Sequence, residues 1–211
     1  MSKETLIKKY FDFFENDLLQ TIKSSGLAHQ KEDGWQGLTS HTRGVVFRSI
    51  DYALSLNQNP LPVIFSAALH DIAKTKSSEF GHALKALPIA KKIMRYYSDT
   101  LSEDYQKSIL TAIANHTDGK NPTDYICACL WDADRTRIAW VLGYQEEFFH
   151  TKRAKEVASS LPEDYLAYQA KCLSCPFEDR ELILEYRTKF RHFRYKQLIQ
   201  ILKTNLSERQ K

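Results

Sequence analysis

Glycine and proline are scarce in this chain of 211 residues, which has 7 glycines and 6 prolines. A sheet protein of this size would need more of both for its tight turns. Apolar residues instead recur at spacings of three and four, which is the period of an amphipathic helix. The sequence therefore predicts an all-α protein, and its 43% apolar content is sufficient for a substantial core.

Cysteines and long apolar runs are also rare. Four cysteines, Cys127, Cys129, Cys172 and Cys175, are too few for a disulfide scaffold. Cys127 and Cys129 fall two apart on a predicted helix and would point to different sides, which argues against a zinc site. Lys, Asp and Glu interrupt the opening MSKETLIKKYFDFFENDLL, so we expect neither a signal peptide nor a membrane span of about 18 residues. We therefore expect a cytoplasmic protein with no membrane partner.

The periodic apolar positions and the capping signals predict a series of helices. They fall at about 4–22, 40–54, 62–74, 82–97, 102–116, 123–143, 146–160 and 163–174, with a long helix after Pro176. Pro88 should kink or restart the helix that contains it. Composition changes after Gly143, so we expect a helical core over 1–143 and a helical extension over 144–211 that packs on it.

Several histidines and acids fall within or beside the apolar helices. They are His41, His70, Asp71, His82, His116, Asp132 and Asp134. Singly, each has an ordinary explanation as a core residue, a cap or an ion pair. Together they would bury several imidazoles and carboxylates in one core, which is unfavourable unless a cation compensates. Mixed imidazole and carboxylate ligands suit Mn, Fe, Co, Ni or Zn, one or two ions of which would be the cofactor.

Three segments carry a family resemblance: SHTRGV at 40–45, AALHDIAK at 67–74 and WDADRTR at 131–137. Their order on helices resembles the HD-domain superfamily of metal-dependent phosphohydrolases. The resemblance implies a helical bundle with a metal held by four side chains, His41, His70, Asp71 and Asp134. Asp134 matches the family ligand better than Asp132, which would lie about 200° away around a helix and suits a supporting or capping role.

Two further histidines bear on the number of metal ions. Two-metal members of the family have two extra histidines between the HD pair and the last Asp, and here His82 in FGHALKALPIA and His116 in IANHTDGK occupy that interval. The resemblance then implies a second ion, with Asp71 as the bridge. The alternative is that both histidines only occupy helix ends. The HTDG element also resembles the HTTG-type motif of HD-class dinucleoside tetraphosphate hydrolases, although the spacing from Asp71 to His82 is shorter here.

The family chemistry is hydrolysis by a metal-activated hydroxide. Asp71 and Lys74 are the expected catalytic residues, with Lys74 facing a phosphate. Arg43 and Arg135 are candidates for binding the substrate phosphate, with ordinary surface ion pairing as the alternative. The expected substrate is a phosphate monoester or diester, such as a nucleotide or another small phosphorylated molecule, and Mg could accompany it.

Two other functions stay open. A di-iron oxygenase of the same fold would use the same six ligands. A non-catalytic module that binds nucleic acid or a partner protein, with a structural metal, would use the basic C-terminal helix. From Tyr186 onward the chain has eight Lys or Arg and one Glu, a net charge of +7. The same residues also fit an amphipathic packing helix, so nucleic acid is the less favoured partner.

Overall fold

A computed structural model describes residues 1–27, 40–74, 81–160 and 162–173. These residues form helices and no strand, which confirms the all-α prediction. The α-helices are α1 Lys3–Phe13, α2 Leu19–Ser25, α3 Ser40–Ser55, α4 Pro60–Leu69, α5 His82–Met94, α6 Glu103–Ala114, α7 Tyr125–Leu142, α8 Lys152–Ser159 and α9 Pro162–Cys172. A π-helical turn, Phe14–Leu18, joins α1 to α2, and short 3₁₀ turns occupy Arg95–Tyr97 and Glu146–Phe148.

Side-chain caps set where several helices begin. Ser2, Ser102 and Thr151 each accept a backbone N–H bond at the start of α1, α6 and α8. Asn59 caps α4, whose first residue is Pro60, so this helix begins two residues before the predicted Pro62. These caps satisfy N–H groups that have no partner within the helix.

Pro88 lies inside α5, which runs from His82 to Met94 without restarting. Of the two predicted effects of Pro88, a restart of the helix is therefore excluded, and a kink stays a prediction. The missing proline N–H costs one helical hydrogen bond, but the face that α5 buries includes Ala86, Ile89 and Ala90. Packing of that face against the core supports the helix through the proline.

Helix α4 lies at the centre of the bundle. Its residues from Pro62 to Leu69 are all buried, as expected for a helix that is apolar on every side. It packs against α3, α6 and α7, while α5 packs mainly on α6. This arrangement brings the start of α3, the end of α4, the start of α5, the end of α6 and the middle of α7 close together.

The segment after Gly143 packs back on this core. Asp51 of α3 is fully buried and pairs with Lys3 of α1 at 2.6 Å and Arg153 of α8 at 3.0 Å. Tyr165 of α9 donates a hydrogen bond to the same carboxylate. One buried acid thus joins four helices.

The predicted helix after Pro176 and the basic stretch lie outside the described residues. Among the helices that are described, none combines the length and apolar character needed to cross a membrane.

Candidate metal centre

His70 and Asp71 lie directly after α4, in a turn. The helix ends at Leu69, so the predicted continuation to Lys74 is wrong. Bonds from the Ile72 N–H to the Leu69 carbonyl and from the Lys74 N–H to the Asp71 carbonyl replace the helical pattern. His70 is fully buried and Asp71 nearly so. The turn therefore places both side chains at the end of the most buried helix.

Asp71 lies between two groups of histidines. Its Oδ2 atom is 3.5 Å from His70 Nε2 and 3.7 Å from His41 Nε2. Its Oδ1 atom is 3.0 Å from His82 Nε2 and 3.4 Å from His116 Nε2. In each group the donor atoms lie within 4.8 Å of one another, and all five side chains are buried. One carboxylate is thus shared by two clusters, each able to hold a metal ion.

The two acids of α7 face different surroundings. Asp134 Oδ1 lies 3.2 Å from His41 Nε2 and 3.9 Å from His70 Nε2, so it joins the first cluster. Asp132 instead accepts the backbone N–H groups of His150 and Thr151, the latter at 2.7 Å. Two residues on a helix are about 200° apart, which explains why the two carboxylates diverge. Asp132 therefore anchors the chain before α8.

Backbone carbonyls orient two of the imidazoles. The Nδ1 atom of His70 lies 2.7 Å from the Ala67 carbonyl, and that of His116 lies 2.7 Å from the Ile113 carbonyl. A carbonyl oxygen can only accept a hydrogen bond, so each Nδ1 has the proton. In a neutral ring Nε2 then has a lone pair, and this lone pair faces Asp71. Metal-binding histidines commonly have this second hydrogen bond. The geometry thus prepares both Nε2 atoms as ligands.

Within the two clusters, two buried polar atoms have no hydrogen-bond partner among the described residues. They are His70 Nε2 and Asp71 Oδ1, and Oδ1 lacks one despite its short distance to His82. Such atoms are costly to bury unless something binds them. A divalent cation in each cluster would satisfy both, so the residues present fit a metal.

His41 has a different second contact. Arg137 Nη1 lies 3.0 Å from His41 Nδ1, and a guanidinium can only donate. Nδ1 is therefore the acceptor here, and Nε2 would have the proton that points at Asp134. Nε2 can bind a metal only after it has lost this proton. The contact with Arg137 stabilises the tautomer that has the proton on Nε2, so it disfavours metal binding by His41.

The pKa values follow from burial and from the neighbouring charges. Burial lowers the pKa of His70 to about 4, against the raising effect of Asp71 and Asp134. For His116 burial acts in the same direction, but Asp71 outweighs it and the pKa is raised. Burial raises the pKa of Asp71, yet His70, His116, His82 and Lys74 together lower it well below its usual value. Asp71 is therefore ionised and available as a ligand.

Asp134 and Asp132 differ in the same way. Burial raises the pKa of Asp134, but the hydrogen bond from His41 and the charges of His70 and His41 outweigh it and lower the pKa. Burial raises the pKa of Asp132 to about 6, only partly offset by the N–H groups of His150 and Thr151. The carboxylate beside the histidines is the more strongly ionised of the two.

A cavity of about 290 Å³ opens beside the clusters. Lys74 lines it, and its Nζ atom lies 3.2 Å from Asp71 Oδ2. The other lining residues are Asp71, His82, His116, Thr117, Asp134, Arg135, Ile138, Ala139, Gly143, Gln145, Phe148 and Phe149. Thr117 belongs to the HTDG element but was not among the predicted site residues. No sequence motif marks the lining residues from Ile138 onward.

The two arginines predicted at the substrate phosphate are engaged elsewhere. Arg43 forms a bidentate ion pair with Glu15, in which Nε and Nη2 each lie 2.7 Å from a carboxylate oxygen. It is absent from the cavity lining. Arg135 does line the cavity, but its guanidinium donates to the carbonyls of Phe148 and Gly119 and to His150 Nε2. The structure therefore does not bring Arg43 to the site, and it gives Arg135 backbone partners.

Cys127 and Cys129 are buried on α7, and burial raises the pKa of both thiols. Cys172 is buried near the end of α9, and Cys175 lies outside the described residues. Buried protonated thiols act as small apolar side chains.

A crystal structure of a predicted HD superfamily hydrolase from an uncultured Thermotogales bacterium is similar to this fold. It superposes with a TM-score of 0.56 over 76% of this chain and 92% of that one, at 21% sequence identity. No curated protein matches the sequence. The family model of the HD domain matches residues 38–170, which is more than half of the chain and extends beyond Gly143. With its buried histidine and aspartate clusters at the ends of packed helices, the chain belongs to the HD-domain family.

Proposed function

We propose that this protein is a metal-dependent phosphohydrolase that cleaves a phosphate monoester or diester of a small molecule, such as a nucleotide. The observation that carries the proposal is the position of Asp71 between two buried histidine clusters, with Lys74 beside it in an open cavity. Membership of the HD-domain family supports it, as does the fold shared with a predicted hydrolase.

The donor set suits one or two divalent transition-metal ions. His41, His70, Asp71 and Asp134 would hold one ion, and Asp71, His82 and His116 a second. When bound, such ions supply a hydroxide at neutral pH and polarise a phosphoryl oxygen. Asp71 would bridge the clusters through its two oxygens. The backbone carbonyls of Ala67 and Ile113 accept hydrogen bonds from the Nδ1 atoms of His70 and His116 and so keep both imidazole rings oriented.

Lys74 provides the positive charge on the cavity side of Asp71. Its side chain is about one fifth exposed, so the ammonium can turn from Asp71 toward a phosphoryl oxygen without unfolding the turn. A cation held there stabilises the negative charge that builds up on the non-bridging oxygens during transfer. Lys74 is therefore the proposed phosphate-binding side chain.

The test is elemental analysis of the purified protein, followed by assays of nucleotides and other phosphate esters with Mn, Fe, Co, Ni, Zn and Mg. We expect transition metal in the protein and turnover of at least one ester. Asp71→Asn should lose the turnover, whereas Arg43→Gln, remote from the cavity, should keep it. Equal inactivity of the parent and Asp71→Asn across the panel would exclude the phosphohydrolase.

The six donor side chains also suit a di-iron oxygenase, so the same assays are run without oxygen. A hydrolase retains its full rate under anaerobic conditions, because water is its only co-substrate. An oxygenase instead requires O₂ and shows a redox-active iron spectrum. Anaerobic release of phosphate would exclude the oxygenase.

A further inference from the structure

The cavity beside the metal centre has both polar and apolar lining residues. Asp71, His82, His116 and Asp134 are among its lining residues, and yet most of the exposed lining surface as a whole is apolar. Its volume of about 290 Å³ lies at the lower limit of the roughly 300–1,000 Å³ that ligand cavities usually have. The space suits a phosphoryl group with one compact organic group attached.

The apolar wall of this cavity comes from α7 and the turn before α8. Ile138 is about half exposed, Phe148 is partly buried, and Phe149 is buried and stacks on Tyr144 with ring centroids 5.6 Å apart. A half-exposed isoleucine in a cavity that phenylalanines also line gains from covering by an apolar ligand. The side chains of Ile138, Phe148 and Phe149 have no atom that could ligate a metal or form a hydrogen bond with a phosphate.

The wall is fixed in position before any ligand binds. Asp132 accepts the N–H groups of His150 and Thr151, and Arg135 donates to the Phe148 carbonyl at 3.1 Å. Asp132 and Arg135 lie on either side of Asp134 in the sequence of α7. They thus fix the turn before α8 relative to the metal centre. A wall held in this way provides specificity, because the ligand need not order it.

Few of the described lysines and arginines line the cavity. Of the lysines and arginines in the described part of the chain, Lys74 and Arg135 line it. Arg135 is committed to two carbonyls and to His150, which leaves the Lys74 ammonium facing the cavity. A polyphosphate chain carries several charges and would need side-chain cations beyond the metal centre and this one ammonium. A single phosphoryl group matches one ammonium beside the metal centre.

We propose that the substrate is a phosphate monoester with a small apolar organic group, aromatic or branched aliphatic, and not a polyphosphate. The phosphoryl group lies at the metal centre beside Lys74, and the organic group packs on Ile138 and Phe148. This inference rests on the proposed phosphohydrolase function for the turnover, but the binding preference follows from the cavity wall alone.

The test is binding of two phosphonates, which have the same charge and cannot be hydrolysed as esters. Calorimetry with Mn-loaded protein compares benzylphosphonate with methylphosphonate, and tripolyphosphate serves as the polyanion. We expect benzylphosphonate to bind at least about 10-fold more tightly than methylphosphonate, because its aromatic ring is transferred from water to the apolar cavity lining. Equal affinities, or tighter binding of tripolyphosphate than of benzylphosphonate, would overturn the proposal.

Variants of the wall make the test specific. Ile138→Ala and Phe148→Ala should reduce the benzyl preference by about 3-fold or more and leave methylphosphonate binding unchanged. Ile138 is half exposed, so its variant should fold even if Phe148→Ala does not. Leu84→Ala, at an exposed position of α5 outside the cavity lining, is the matched control and should keep the full preference. A preference that survives Ile138→Ala unchanged would contradict the assigned wall.

Turnover separates this inference from the proposed function. 2-Phenylethyl phosphate and glycerol phosphate both release an alkyl alcohol, so a higher kcat/KM for the former reports the wall. If neither is hydrolysed while benzylphosphonate still binds more tightly, the hydrolase proposal fails for these esters and the binding inference stands. If both are hydrolysed at equal kcat/KM and the phosphonates bind equally, the hydrolase stands and the inference fails.

Discussion

The Nε2 atoms of His82 and His116 lie 3.0 Å apart, and both face Asp71 Oδ1. Two imidazole nitrogens this close share at most one proton between them, so a metal ion is a suitable third partner. We predict that His82→Ala and His116→Ala each reduce the bound metal from two ions to one. Elemental analysis per protein chain measures this, and an unchanged content in both variants would remove the second site.

Asp71→Asn should affect both clusters at once, because its two oxygens face different histidine pairs. We expect a loss of metal affinity of about 100-fold or more, since even residues that only support a metal ligand cost about 10- to 100-fold. Competition with a chelator measures the affinity. Arg43→Gln is the control, because its ion pair with Glu15 is partly exposed and worth about 1 kcal/mol or less.

Lys74→Met should reduce kcat about 100-fold while the metal content stays the same. The reason is the loss of a positive charge beside the transferred phosphoryl group, which is comparable to removal of one oxyanion donor. Lys74→Arg keeps the charge and should restore part of the rate. Steady-state kinetics with metal-loaded protein measures kcat. A kcat of Lys74→Met within 2-fold of the parent value would remove Lys74 from the proposed mechanism.

Acid should release metal from the two clusters at different pH values. A raised His116 pKa means that this imidazole gains a proton early as pH falls, whereas the His70 pKa of about 4 keeps His70 neutral longer. Protons compete with metal for the same lone pair. We therefore expect the ion at His82 and His116 to leave first as the pH falls, and the ion at His70 to leave at a lower pH. Metal content after gel filtration at each pH tests the order, and simultaneous loss would contradict it.

Asp132→Ala should destabilise the protein without loss of metal. The substitution leaves the part-buried N–H of His150 and the buried N–H of Thr151 unpaired, which costs about 3 kcal/mol in total. Urea unfolding measures the stability. Asp132→Asn retains an acceptor oxygen and should cost less. Loss of metal in the folded Asp132→Asn variant would instead make Asp132 a ligand.

The arginines show where proximity in sequence misleads. Arg43 is two residues from His41, yet it pairs with Glu15 and is absent from the cavity lining. Arg135 is next to Asp134 and lines the cavity, but its guanidinium donates to the carbonyls of Phe148 and Gly119. Adjacent helix residues point about 100° apart, so nearness to a ligand does not place a side chain in the same site. Lys74 follows a turn, and the bond of its backbone N–H to the Asp71 carbonyl returns it to the centre.

Periodicity and composition were enough to determine the helical class, because the spacing of apolar residues reports which face of a helix is buried. The types and order of the histidines and acids were enough to indicate a metal-binding set and its family. The family resemblance also implied Asp71 as a bridge and a supporting role for Asp132. Tertiary packing alone decided which atoms lie around Asp71, that the partners of Asp132 are the N–H groups of His150 and Thr151, and that Phe148 and Ile138 line the cavity. These relationships join side chains distant in sequence, and their distances depend on how five helices meet, which no local pattern encodes.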